Sequence, residues 1–204
     1  MWPAKVPGAM LAAVLLLAGA CAHAVDPAAP VAAPAGWGVA QLMQSLAQVK
    51  SSRARFVEDK YLSIVNTPLH YTGGLAYTAP DRLEKRTETP KAESLVLEGD
   101  RLTVENAKKQ RHVVQLAEYP VVRAFVESIR STLAGDLQTL NRYYQVSLSG
   151  TPAQWRLLLV PSEPSMQAVV REIRITGTRT HVGGIEIIEK EGDRSVMTIT
   201  EVAP

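Results

Sequence analysis

An α+β fold, with a curved antiparallel sheet and helices packed on one face, is what this sequence predicts. Three observations lead there. Short alternating segments, each closed by Gly, Pro, Asn or Asp, recur along most of the chain. Only two stretches of any length carry a helical period instead. The strand-like segments follow one another at regular short spacing, which means an antiparallel sheet.

Taken in order, residues 38–50 place Val39, Leu42, Met43, Leu46 and Val49 on one helical face, with Gly38 as a weak N-cap. The segment RARFVEDKYLSIV follows as a strand. LHYTGGLAYTA, RLEKRTET, ESLVLEG, RLTVEN and RHVVQLA come next as further strands. Gly99 and Asp100 form a hairpin signal within LVLEGDRLTV, and NAKKQRH makes a basic turn. Residues 119–134 then change period: Val122, Phe125, Val126, Ile129 and Leu133 form a helical stripe. Pro120 suits its first turn, Gly135 suits its stop, and Arg123 and Glu127 stand four apart on its polar side. A short helical piece at 136–141 leads into YYQVSLSG, QWRLLLVP, VVREIRIT, GIEIIEK and SVMTITEV, which are strand-like again. The total is about nine to eleven strands and two or three helices.

At 204 residues the chain is one domain of ordinary size, and 46% apolar residues allow a sizeable core. A net charge of +2 lacks the basic excess of a nucleic-acid binder. Near the start, Lys5 precedes the apolar run 10–20, which is too short to span a bilayer but has the length of a secretory signal. AHA at 22–24 fits cleavage after Ala24. Cys21, the one cysteine, is the rival: an acylated lipoprotein cysteine also follows small residues, but Leu17 stands four positions before it rather than three. The expected division is a signal peptide at 1–24, an Ala/Pro-rich leader at 25–36 and a folded domain at 37–204. Cleavage after Ala24 leaves no disulfide, so stability rests on the core.

Chemistry of the usual kinds is missing. His23, His70, His112 and His181 have no partners at metal-ligand spacing, no G-x-S-x-G elbow occurs, and the carboxylates mostly alternate with Lys and Arg as on a solvated sheet face. The reading is therefore no enzyme, no metal and no cofactor. KKQRH at 108–112 is the one basic cluster: a solvated hairpin tip, or a contact with a membrane surface or an acidic partner.

The segments ARFVEDKYLS (54–63), GGLAYTAPDRLEKRTETPKAESLVLEGDRLTV (73–104) and IRITGTRTHVGGIEIIEKEGDRSVMTITEV (173–202) carry a resemblance. Their order is a Phe strand, a Gly-x-Leu strand, a Pro turn, a charged strand, a second Pro and a hairpin. It resembles the LolA-like family of periplasmic lipoprotein carriers over most of 37–202. The resemblance implies an unclosed half β-barrel with a helical lid over an apolar cavity. It also implies a periplasmic, monomeric carrier that takes acyl chains of a lipoprotein or other lipid from an inner-membrane exporter to an outer-membrane acceptor. Two departures stand out. The family places an Arg before the first Pro, where it hydrogen-bonds the lid shut; here that residue is Ala79, and Arg82 faces differently. Glu58 replaces the family's usual Gln. Divergent branches of this kind are associated with lipid-export and pigment-lipid systems, so the cargo need not be a lipoprotein.

Period-two faces and the helical stripes nominate the lining. The wall residues are Tyr71, Leu75, Tyr77, Leu95, Leu97, Trp155 and Leu157; the lid residues are Leu42, Met43, Leu46, Phe125 and Ile129. Three other readings stay open: an outer-membrane receptor of the same fold anchored through Cys21, a sensor or scaffold with a solid interior, and a hydrolase whose nucleophile is not visible. Periodicity reports burial, not empty volume.

Overall fold

The computed structural model describes residues 36–202. The expected signal peptide, Cys21 and all but the last residue of the expected leader lie outside the described residues. Helix α1 (Val39–Leu46) opens the domain, followed by strands β1 (Ser51–Tyr61), β2 (Leu69–Thr78), β3 (Arg82–Thr89), β4 (Glu93–Glu98), β5 (Arg101–Asn106) and β6 (Arg111–Gln115). A 3-10 turn (Leu116–Glu118) leads into α2 (Pro120–Ala134) and α3 (Leu137–Tyr143). Then come β7 (Tyr144–Thr151), β8 (Gln154–Pro161), the one-turn helix α4 (Pro164–Gln167), β9 (Val170–Thr178), β10 (His181–Glu189) and β11 (Arg194–Glu201).

All eleven strands form one antiparallel sheet in the order β6-β5-β4-β3-β2-β1-β11-β10-β9-β8-β7. Its edges, β6 and β7, do not pair, so the barrel stays unclosed. Two meanders, one from each half of the chain, meet at the β1/β11 seam, where Phe56 faces Ile199 and Glu58 faces Met197.

Local chemistry explains the boundaries. Helix α1 ends one turn earlier than its apolar spacing suggests. The N–H groups of Gln48 and Val49 bond three residues back, to Ser45 and Leu46, so the last turn tightens and releases the chain towards β1. Pro120 occupies the start of α2, and Gly135 stops it at φ 69°. A β-carbon there would sit 2.2 Å from the Met43 carbonyl oxygen, so the same glycine lets α2 close on α1. Asp136 caps α3 by accepting from the Thr139 N–H at 2.9 Å. The basic turn at 106–110 is held by Asn106, whose side-chain oxygen accepts from the N–H groups of Lys108 and Gln110. Glu105 pairs with both Lys109 and Arg111 and is held below its ordinary pKa by those hydrogen bonds.

Four helices form rather than two or three. The added one, α4, is a single turn, too short for any periodicity to announce. The core sits under the second meander: Leu42, Met43, Leu140, Tyr144, Trp155, Leu157, Leu159, Met166, Ile173 and Ile175 pack into one buried cluster.

Candidate functional site

The sheet's concave side is set by register. Ser52, Ala54, Phe56, Glu58 and Lys60 of β1 lie opposite Tyr77, Leu75, Gly73, Tyr71 and Leu69 of β2. Leu75 and Tyr77 in turn lie opposite Lys85 and Leu83, which face Leu95 and Leu97, which face Val104 and Leu102. Residues directly opposite share a face, so one apolar sector runs across β1–β5.

Helix α2 lies over this sector in an unusual orientation. Its buried residues are Ala124, Glu127, Ser128, Ser131 and Thr132, the small and polar ones. They turn towards the other helices. Tyr144 donates to the Ala124 carbonyl oxygen at 2.9 Å, and Ser128 and Thr132 satisfy their hydroxyls on backbone carbonyls of the same helix. The apolar stripe is left half-exposed, and Val122 is 37% exposed. Val122, Phe125, Val126, Ile129 and Leu133 instead line a cavity of about 640 Å³ between helix and sheet. A helix normally buries its apolar stripe; this one buries the opposite face.

The nominated residues divide accordingly. Leu75, Tyr77, Leu95 and Leu97 line the cavity, as do Leu46, Phe125 and Ile129 from the lid side. Leu42, Met43, Trp155 and Leu157 are not on its lining. Trp155 and Leu157 of β8 and Leu42 and Met43 of α1 are instead sealed together inside the core cluster, 2% exposed or less. Trp155 fills the space over Gly177, where a β-carbon would lie 2.2 Å from its ring, and donates its indole N–H to the Arg179 carbonyl oxygen at 2.9 Å. Tyr71 also lies off the lining; its ring sits under the Lys60 ammonium, 5.1 Å from the centroid.

The structure adds two groupings. The first is a fastening of the lid. Arg130 of α2 donates to the Gly99 carbonyl oxygen in the β4–β5 turn, and Arg123 reaches Asp100 at 3.5 Å. Arg130 is itself bound by the buried Glu127 of its own helix, so Glu127 pairs with Arg130 rather than with Arg123. Ala79 offers the lid no such bond. Here the tie runs from helix to sheet turn. The arginines look like ordinary solvated helix charges in the sequence, and only the turn's proximity distinguishes them.

The second grouping is a set of charges on the cavity wall. Glu58, 3% exposed, is bound by Lys85 Nζ at 2.5 Å and by the Ser195 hydroxyl at 2.7 Å, with Lys60 Nζ at 3.6 Å. Burial, the largest single influence, pushes its pKa up. The hydrogen bond and charge of Lys85, with Ser195 and Lys60, outweigh burial and hold it below the ordinary 4.5. Glu58 and Lys85 sit on β1 and β3, with β2 between them. The inward residue between them is Gly73, which leaves room for the Phe56 ring; a β-carbon there would lie 2.8 Å from it and 1.9 Å from the Arg86 carbonyl oxygen. Lys85 Nζ lies 4.8 Å from the Phe56 ring centroid. One signal for this set was in the sequence: Lys85 has the parity of Leu83, and Glu58 that of Phe56.

A curved antiparallel sheet that does not close, covered on its concave side by helices with an apolar cavity between them, defines the fold class. Residues 31–203 match the family described as outer membrane lipoprotein carrier protein LolA-like, and the chain belongs to it. No curated protein matches the chain. Among solved structures, a LolA superfamily protein from Nitrosomonas europaea is similar over 82% of this chain and 94% of its own, at 8% identity and a TM-score of 0.45. A putative outer membrane lipoprotein-sorting protein domain from Vibrio parahaemolyticus is similar over 79% and 88%, at 7% identity and a TM-score of 0.41. No helix among the described residues is long and apolar enough to cross a membrane, and the described residues hold no cluster of metal ligands.

Proposed function

We propose that this protein is a non-enzymatic carrier in the periplasm. It holds acyl chains of a lipoprotein or another lipid in the cavity between α2 and the sheet, and moves them from an inner-membrane exporter to an outer-membrane acceptor. The observation that carries this reading is the inverted helix α2. It leaves Phe125, Val126, Ile129 and Leu133 half-buried on the cavity lining, with Phe125 and Ile129 also touching the core cluster. Exposing that stripe costs roughly 25 cal/mol per Å² of apolar surface, a cost that a hydrocarbon chain in the cavity removes. Each buried CH₂ contributes about 0.8 kcal/mol, so a long chain gains about 10 kcal/mol before association costs. The described residues offer no nucleotide site, so loading draws on a donor protein, and release on a partner or on movement of α2.

Native mass spectrometry of protein purified from the periplasm tests the reading. A mass adduct that extracts as lipid is the expected result. A bare mass, together with no uptake of a fluorescent fatty acid, overturns it in favour of a solid-cored scaffold. Metabolic labelling with a palmitate analogue tests the carrier against the anchored receptor: label that disappears in Cys21→Ala favours the receptor.

A further inference from the structure

We propose that the Glu58–Lys85–Lys60 cluster is a head-group site, at which the cavity takes the carboxylate of a single-chain amphiphile while its tail runs along the apolar sector. This rests on the carrier reading and adds a ligand class to it.

The cluster is a poor way to stabilise a sheet. Taking charges out of water is costly, and apolar side chains of similar volume often serve stability as well or better. A wall that met only hydrocarbon would gain nothing from charges. Yet Glu58 and Lys85 lie on the cavity lining beside Leu75 and Leu95, and Lys60 completes the group. The arrangement is also locally unbalanced. Within the cluster two ammonium groups surround one carboxylate, a local charge of +1, while elsewhere on the lining Arg53 and Arg194 stand against Glu84, Glu189 and Glu201, of which Glu84 pairs with Arg82 and Arg86 and Glu201 with His181.

Donor capacity is left over as well. Glu58 accepts from Lys85 and Ser195, so its oxygens are served. Lys85 Nζ spends one N–H on Glu58, and Lys60 Nζ has no acceptor within hydrogen-bond distance among the described residues. Neither lysine is sealed: their side chains are 26% and 40% exposed. The surplus matches a single negative charge. Ammonium groups bind as point charges without the bidentate fork of arginine, which suits a small carboxylate. Glu58 keeps the two lysines from repelling each other in the empty cavity, and Gly73 lets the pair meet across β2.

The test is displacement of a neutral, polarity-sensitive dye from the full chain by dodecanoate and by dodecan-1-ol, which share a tail and differ in charge. The expected result is displacement by dodecanoate at about tenfold lower concentration. In a Glu58→Gln/Lys60→Met/Lys85→Met variant, which removes the cluster without leaving an unpaired charge, the two compounds are expected to become equal, with dodecan-1-ol unchanged. Equal affinities in the wild type overturn the head-group site and leave the carrier reading standing, and this comparison needs no variant to fold. Persistence of the preference in a folded variant also overturns it. If neither compound nor the dye binds, the carrier reading itself fails.

Discussion

Strands β7–β10 and strands β2–β5 turn the same alternating pattern towards the same concave side. Under β7–β10, Trp155, Leu157, Leu159, Ile173 and Ile175 are all 1% exposed or less. Helices α1, α3 and α4 lie against that half and fill it with Leu42, Met43, Leu140 and Met166. Under β2–β5, Leu75, Leu83, Leu95 and Leu102 remain half-exposed. The element facing them, α2, packs chiefly on other helices rather than on the sheet. Equal patterning therefore gives a packed core under β7 and β8 and a hollow that runs from β5 across the seam to β10 and the edge of β9, where Ile175 and Met166 border both. What differs is which helix faces the strands and how near it comes.

This difference can be broken or sharpened by experiment. The largest expected effect lies in the packed half. Trp155→Ala removes a sealed side chain and its hydrogen bond and is expected to cost about 3–5 kcal/mol in urea unfolding. Leu95→Ala, on the hollow, is expected to cost under about 1 kcal/mol while weakening lipid uptake. Equal costs would mean that the hollow is packed in solution and would end the contrast.

Next is the fastening of α2. Arg130→Ala leaves Glu127 buried without its cation and is expected to cost about 3 kcal/mol. Amide exchange should speed up in α2 well before α1, since Gly135 ties α2 to α1 only at its far end. Uniform acceleration across all helices would show that Arg130 does not act as a local tie.

The smallest effect concerns Glu58. Its folded pKa lies below its ordinary value, so its stabilising contribution is fully present above pH 4.5 and is lost as pH falls through the folded value. Wild-type stability should therefore fall in acid below pH 4.5 more steeply than that of Glu58→Gln, as read from thermal melts over a pH series. Parallel profiles would show that the carboxylate is not held by the lysines.

Much of the fold was legible. The spans of β3, β5 and β8 coincide with their alternating segments because turn residues bound them: Asp81 and Pro90 for β3, Asp100 and Asn106 for β5, Pro152 and Pro161 for β8. The curved sheet with helices on one face came from spacing; that the barrel stays unclosed, with the helices as a lid over a cavity, came from the family resemblance. The site was legible only in part, for a physical reason. Alternation fixes which residues share a face, such as Leu75 with Tyr77 or Trp155 with Leu157. It does not say whether a helix comes down onto that face. The stripe of α2 was equally clear, but a stripe does not reveal that Glu127, Ser128, Ser131 and Thr132 would be the buried side. Their burial depends on Arg130 and on hydrogen bonds within the helix and to Tyr144. The Glu58–Lys85 pair spans 27 residues of sequence and crosses a strand, so only the register of β1, β2 and β3 together brings it into view.

The seam between β1 and β11 has a kinetic meaning. As the chain is made from its first residue onward, β1 can pair with β2 early, but its other edge waits for residues 194–201. The middle of the sheet is thus the last part to be zipped, by contacts of very long sequence separation, which slow folding. Until the final strand arrives, neither meander has its neighbour and no hollow exists to fill. A chain interrupted before its last ten residues would have two separate half-sheets and nowhere to put a guest.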